Sequence, residues 1–320
     1  MLGLKYPIIA GPMFLVSYEA LVSEVGEAGA LGGVPSLNWR TPEEFRSGIQ
    51  RIREKTKAPF AVNLIVNQAN PRQKPDLEIC VEAKVPLVIT SLGNPKETIR
   101  RMHEVGGRVF CDVTNLEYAK KVQDLGADGI IAVSQGAGGH AGPTSPLVLL
   151  PYLKKHLKIP IVAAGGISTG GQIAAALLLG ASAVQIGTRF IASTEAKVDD
   201  SYKNAIVRAR PDDIVLTNKI SGTPVAVINT PYIEKMGLDV SKFERWLLTN
   251  SRTKKYMKMI RAYVGSEILK KAILGPTWKE VWSAGQGVGL IDEILPAREI
   301  VAKLVREYHE AVADFASRNQ

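Results

Sequence analysis

Cysteine is nearly missing from this chain of 320 residues: Cys80 and Cys111 are the two present. That is too few for a disulfide framework or a closed zinc site, so both read as ordinary buried thiols and no metal is expected. Long apolar runs are missing as well, none approaching the roughly 20 residues of a membrane-spanning helix, and no membrane span is expected. The opening Met1-Leu2-Gly3-Leu4-Lys5-Tyr6-Pro7 lacks the basic start and long apolar stretch of a secretory signal, which makes a cytoplasmic protein the expectation. No low-complexity linker divides the chain. No recognisable nucleic-acid motif accompanies its net charge of +9, and no nucleic-acid partner is expected. Much of that excess falls between Arg252 and Lys271 and reads as the solvated face of helices.

What the chain does have is a rhythm. With 46% hydrophobic residues it is long enough for a large buried core. Eight short apolar runs, bounded by Gly, Pro or Asn, are each followed by a stretch of helical periodicity. They are Tyr6–Met13, Leu31–Pro35, Phe60–Val66, Leu87–Leu92, Arg108–Val113, Gly129–Val133, Ile159–Ile167 and Ala183–Phe190. Helix signals stand between them: Thr41-Pro42-Glu43-Glu44 as a cap, and Gly29, Gly106, Gly126 and Gly180 as stops. Strands apolar on both faces and alternating with helices are buried parallel strands, and eight such units predict an α/β chain folded as a closed (β/α)8 TIM barrel. A doubly wound open sheet is the structural alternative.

From about residue 191 the rhythm breaks. Ser201–Arg210 and Asp239–Thr249 look helical, Ile214–Val227 irregular or partly extended, and Leu290–Ser317 a long amphipathic terminal helix. The expected layout is a barrel of residues 1–190 plus about 276–320, with about 191–275 as an inserted lid or small helical substrate domain over or beside the barrel mouth.

In such a barrel the site lies at the carboxyl ends of the strands. After the seventh and eighth runs stand Ala164-Gly165-Gly166 and Gln185-Ile186-Gly187-Thr188, where bare backbone can approach a phosphate and Thr188 can add a hydroxyl. A tight turn needs glycine too. Of four histidines, His103, His156 and His309 fall on predicted helices, while His140 sits in the strand-end loop Gln135-Gly136-Ala137-Gly138-Gly139-His140-Ala141-Gly142. An imidazole there suits proton transfer near neutral pH; bonding to a neighbouring carbonyl is the plainer alternative. Asn63 offers an amide to a flat heterocycle, Gly11-Pro12-Met13 rigid backbone and a thioether beneath a ring, or a simple turn. Asp112 reads equally as a base or a capping carboxylate.

Taken together, these residues resemble the nitronate monooxygenase family of FMN-dependent barrels, which also includes FMN-dependent enoyl-ACP reductases and NADH:quinone reductases. The likeness runs from Tyr6-Pro7-Ile8-Ile9 to Phe190 and resumes at Trp282-Ser283-Ala284-Gly285-Gln286-Gly287. It implies FMN as cofactor, with Gly11, Pro12 and Met13 against the isoalloxazine, Asn63 bonding it and Gly138 approaching it. Ala164, Gly165, Gly166, Gln185, Ile186, Gly187 and Thr188 would hold the ribityl phosphate, and His140 falls on the family's active-site histidine. Two departures stand out. Asp112 replaces a Lys that many relatives carry, and Gly136 replaces a Glu often found before Gly-Gly-His.

The resemblance implies a nitronate monooxygenase turning alkyl nitronates and O2 into carbonyl compounds and nitrite, with His140 holding the nitronate's charge or removing an α-proton. The alternative it leaves is an NAD(P)H-dependent reductase of a quinone or an enoyl thioester. A flavin-free barrel binding a phosphorylated metabolite is the reading outside that family. The partners expected are a small-molecule substrate and O2, with NAD(P)H as co-substrate in the reductase reading; a homodimer is compatible with the chain.

Overall fold

A computed structural model of the protein describes residues 2–220, 224–238 and 281–318. The predicted helix Asp239–Thr249 and the basic stretch Arg252–Lys271 lie outside the described residues. Eight parallel strands close into a barrel: β1 (Ile8–Ala10), β2 (Leu31–Pro35), β3 (Phe60–Ile65), β4 (Leu87–Ser91), β5 (Arg108–Val113), β6 (Gly129–Val133), β8 (Ile161–Ala164) and β9 (Ala183–Ile186), with the two-residue β7 (Gly139–His140) standing outside it. β9 returns to β1 through Gln185 opposite Ile9, which closes the ring and excludes the open sheet. All eight predicted runs are strands of this ring. β1 is shorter than its apolar run, because Gly11 and Pro12 end it.

Local chemistry explains the helices. Thr41 accepts from Glu44 N at 3.1 Å and opens α2 (Pro42–Lys55), and Asn115 accepts from Tyr118 N at 2.9 Å and opens α5 (Leu116–Asp124). Thr169 and Gln172 form a reciprocal capping box at the start of α7 (Gly170–Leu178). The other helices that flank the barrel are α1 (Glu19–Glu27), α3 (Gln73–Glu82), α4 (Lys96–Glu104) and α6 (Pro146–His156).

Burial sorts the strand residues by parity. Ile9, Leu31, Ala61, Leu87, Ile89, Phe110, Ile131, Val162 and Ala164 pack together inside the barrel, while their neighbours Ile8, Val62, Val88, Cys111, Ile130 and Ala163 pack outward against the helices. Each fully buried Leu or Ile contributes on the order of 2 kcal/mol of hydrophobic stabilisation. Carrying the two-residue period one step further places Gly11, Gly33, Asn63, Ser91, Asp112, Val133 and Gln185 in the topmost inner layer. That layer is small and polar where those below are apolar.

Beyond the barrel come α8 (Thr188–Ile191), α9 (Asp200–Arg208), β10 (Ile214–Thr217), β11 (Val225–Ile228), α10 (Pro231–Met236) and α11 (Ala297–Arg318). The stretch expected to be irregular or partly extended is an antiparallel hairpin, and its strand β11 also pairs with β7. The terminal helix starts at Ala297, later than Leu290, because a 3-10 turn (Gln286–Leu290) precedes it. It lies along α7 so closely that a Cβ on Gly170 would stand 2.1 Å from Tyr308 N, and Glu307 accepts from Gly170 N at 2.8 Å. No helix among the described residues is long and apolar enough to cross a membrane.

Candidate active site

The glycine turns and the histidine loop meet. Gly136 comes so near the turn after β8 that its Cβ would lie 3.4 Å from Gly166 Cα. The segment around Gly285 ties the cluster together: Gln286 N donates to Gly136 O at 3.0 Å, and Gly285 N donates to Thr188 Oγ1 at 3.0 Å. Thr188 thus spends an acceptor on the protein and keeps its hydroxyl proton for another partner.

Gly165 and Gly166 have φ of +114° and +71°, conformations that side chains disfavour. A Cβ on Gly165 would sit 2.8 Å from Ser134 Oγ, whereas in front of Gly166 the nearest atom is 4.0 Å away. Gln172 Nε2 donates to Gly166 O at 2.8 Å and fixes the turn. The amides of Gly165, Gly166 and Gly187 donate to no backbone acceptor among the described residues. Open space before unpartnered amides is what an anion's oxygens require. Ile186 is a partial correction: its side chain is buried outward among the helices and its carbonyl accepts from Gly11 N at 2.8 Å, so it shapes the turn without facing the mouth.

The floor is the polar inner layer. Asn63 Nδ2 donates to Ser91 Oγ at 2.7 Å and to Ile89 O at 3.1 Å, and Ser91 Oγ donates to Asp112 Oδ2 at 2.5 Å. Burial pushes the Asp112 carboxyl up to about 6, opposed by the Ser91 hydrogen bond. Its Oδ1 is buried without a partner among the described residues, and so is Gln185 Oε1 in the same layer. Gln185 itself occupies the room left by Gly11, where a Cβ would be 3.1 Å from its Cγ. Met13 reaches the turn from the other side, its sulfur 3.7 Å from where a Gly187 Cβ would be.

His140 is carried on β7, opposite Val225, and its side chain is exposed at the mouth. Surrounding protein still desolvates the ring enough to lower its pKa below histidine's ordinary value. Pairing with β11 fixes the backbone of the loop at Gly139 and His140. Gly138 is needed for packing, since a Cβ there would stand 2.8 Å from Gly285 N.

Three contributors escaped the sequence reading. Ser91 lies in the fourth apolar run, where nothing local marks it as the link between Asn63 and Asp112. Gln172 was legible through the Thr-x-x-Gln capping pattern. Ser134, whose Oγ donates to Ala164 O at 2.8 Å, left no local signal.

Buried acceptors in a polar floor, together with open amide turns over strands β8 and β9, fit a flat heterocycle with an N–H edge and a phosphate tail. FMN has both. Fold and site thus define a cofactor-dependent (β/α)8 enzyme. The chain belongs to the nitronate monooxygenase family, whose model matches residues 1–307, and is an FMN-dependent oxidoreductase. It is 35% identical to FabK from Thermotoga maritima, with a TM-score of 0.83 over 99% of this chain and 97% of that one. It is 29% identical to the (3aS,4S,5R,7aS)-5-hydroxy-7a-methyl-1-oxo-octahydro-1H-indene-4-carboxyl-CoA dehydrogenase of Rhodococcus jostii, over 96% of this chain and 94% of that protein. It is 30% identical to the nitronate monooxygenase of Pseudomonas aeruginosa, over 96% and 97% respectively.

Proposed function

We propose that this enzyme acts on a substrate that is uncharged at its reacting carbon, an acyl thioester, with a reduced or oxidised nicotinamide as redox partner. The observation that carries the reading is the electrostatics of the mouth. Desolvation lowers the His140 pKa, so its imidazole is neutral at physiological pH, and the ionisable group of the floor is a carboxylate. Neither offers a positive charge to an anionic nitronate. A neutral imidazole is, however, the form that accepts a proton.

The bound flavin supplies the electron-pair chemistry. The chain's own residues do the rest. Gly165, Gly166, Gly187 and Thr188 would hold the phosphate, while Asn63, Asp112 and Gln185 would meet the ring over Gly11, Pro12 and Met13. His140 would take the proton from the carbon beside the thioester carbonyl in oxidation and return it in reduction. The net charge of +9 suits the phosphates of coenzyme A or an acidic carrier protein, and the R. jostii relative is a carboxyl-CoA dehydrogenase by name.

Nitroalkane oxidation is the second reading, favoured by the same neutral imidazole, which suits removal of an α-proton from an uncharged nitroalkane before O2 completes conversion to a carbonyl compound and nitrite. Anaerobic stopped-flow of the FMN-loaded enzyme separates the two. Flavin bleached by NADH or NADPH and recoloured by an enoyl-CoA supports the thioester reading. Flavin bleached by a nitroalkane or nitronate, and inert to both nicotinamides and all thioesters, overturns it.

A further inference from the structure

The row Asn63–Ser91–Asp112 has a direction. Asn63 donates to Ser91, and Ser91 donates to Asp112 Oδ2, which leaves Asp112 Oδ1 as the one carboxyl atom able to receive something new. That atom is buried and has no partner among the described residues. Among the described residues no charged group compensates it. On its own strand Cys111 is a thiol pushed up to about 12, neutral at any working pH. From α5 the Tyr118 phenol, also raised by burial, donates to Gly93 O. β4 and β3 present the uncharged Ser91 and Asn63, and β6 presents Ile131 in register with Asp112. His140 does not feature among the groups that shift the carboxyl. An uncompensated buried carboxylate resists a second negative charge nearby, and its remedy is to take a proton.

Resting on the assignment of FMN to this floor, we propose that Asp112, positioned by Ser91, takes up a proton when the bound flavin is reduced. Above neutral pH a flavin alone takes up one proton with its electron pair. Here the pair would come with two. Oxidised FMN beside ionised Asp112 receives two electrons from dithionite or a reduced nicotinamide; one proton goes to the flavin and one to Asp112 Oδ1, so the charge gained by the ring is cancelled in the floor. Burial already sets the resting carboxyl at about 6, and a reduced ring adds a repulsion that moves it further in the same direction. Ser91 opposes this by favouring the ionised form, and so sets where along the pH axis the coupling operates.

The test is the midpoint potential of the FMN-loaded protein, titrated with dithionite and indicator dyes at several values between about pH 7 and 9. Wild type should show a potential that falls twice as steeply with pH as that of Asp112→Asn. In Ser91→Ala, loss of the hydroxyl donor should carry the steep region to higher pH. Equal slopes in wild type and Asp112→Asn overturn the proposal, as does a Ser91→Ala profile superimposable on wild type. Should Asp112→Asn fail to hold FMN, a wild-type slope of one proton per electron pair throughout is itself enough to overturn it. Wild-type protein that takes up no FMN at all refutes the cofactor assignment, a result distinct from either.

Discussion

Val225 on β11 lies opposite His140 on β7 in an antiparallel register, with Ala226 opposite Gly139. The candidate base is therefore positioned by a strand from the segment beyond the barrel, and the barrel's own loop does not fix it alone. Val225 and Val227 are in turn buried with Ile233 and Val281, so the hairpin that aims the imidazole has a small core of its own.

Replacing His140 with Ala should lower turnover by about 10²- to 10⁴-fold, the usual worth of a general base, and leave the FMN content of purified protein unchanged. In wild type, kcat/KM should rise with pH through an apparent pKa below histidine's ordinary 6.5 and then level, because desolvation favours the neutral ring. A pH–rate profile with its acid limb above that value would assign the limb to another group.

Ala226→Pro, opposite Gly139, removes the ladder donor on the β7 side of β11 and bars regular pairing with β7. Turnover should fall roughly tenfold or more through misplacement of the base, with FMN still bound. Faster amide exchange at Gly139 and His140 would accompany it; unchanged turnover would show that the pairing does not aim the imidazole.

The two glycine turns can be told apart. Gly166→Ala carries both a strained φ of +71°, costing about 1 kcal/mol, and a methyl in the phosphate's approach. Gly187 has φ of −103°, and a Cβ there would meet only the Met13 side chain at an ordinary contact distance of 3.7 Å, so Gly187→Ala adds the methyl without strain. FMN affinity should drop about tenfold or more in both, and thermal stability without FMN should drop only in Gly166→Ala. Fluorescence titration with FMN reads the first and unfolding of the FMN-free protein the second.

Asp112 also makes a prediction about stability. Its carboxyl rises from 3.8 unfolded to about 6 folded, so the folded state holds the proton more tightly. Stability is then greatest below the unfolded value, declines as pH rises from about 4 to 6, and is level above. Asp112→Asn should stabilise the FMN-free protein above pH 6 by up to about 3 kcal/mol and confer no such gain near pH 4. Urea unfolding at the two pH values measures the difference.

The barrel was legible because its signals are local. Apolar runs, caps such as Thr41 and Asn115, and helix-stopping glycines each act within a few residues. The glycine turns and His140 were legible for the same reason. What escaped depends on distance along the chain. β7 is two residues long and flanked by glycine, with no periodicity to read, and its partner Val225 belongs to a stretch whose alternation is weak. Asn63 and Asp112 were each singled out, yet their coupling through Ser91 needs the registers of three strands, which no single segment contains. Gln185 escaped in part for a related reason: its packing against Gly11 exists only because β9 closes onto β1.

The contact between Glu307 and Gly170 spans 137 positions of sequence, and it braces the helix that leaves the Gly165–Gly166 turn. During synthesis that brace arrives after every strand of the barrel. A growing chain can complete all eight staves of the barrel and still present a slack grip to its coenzyme, so loading of the yellow prosthetic group should be a late event in biogenesis, and nicking within the terminal helix should bleach the protein before it unfolds it.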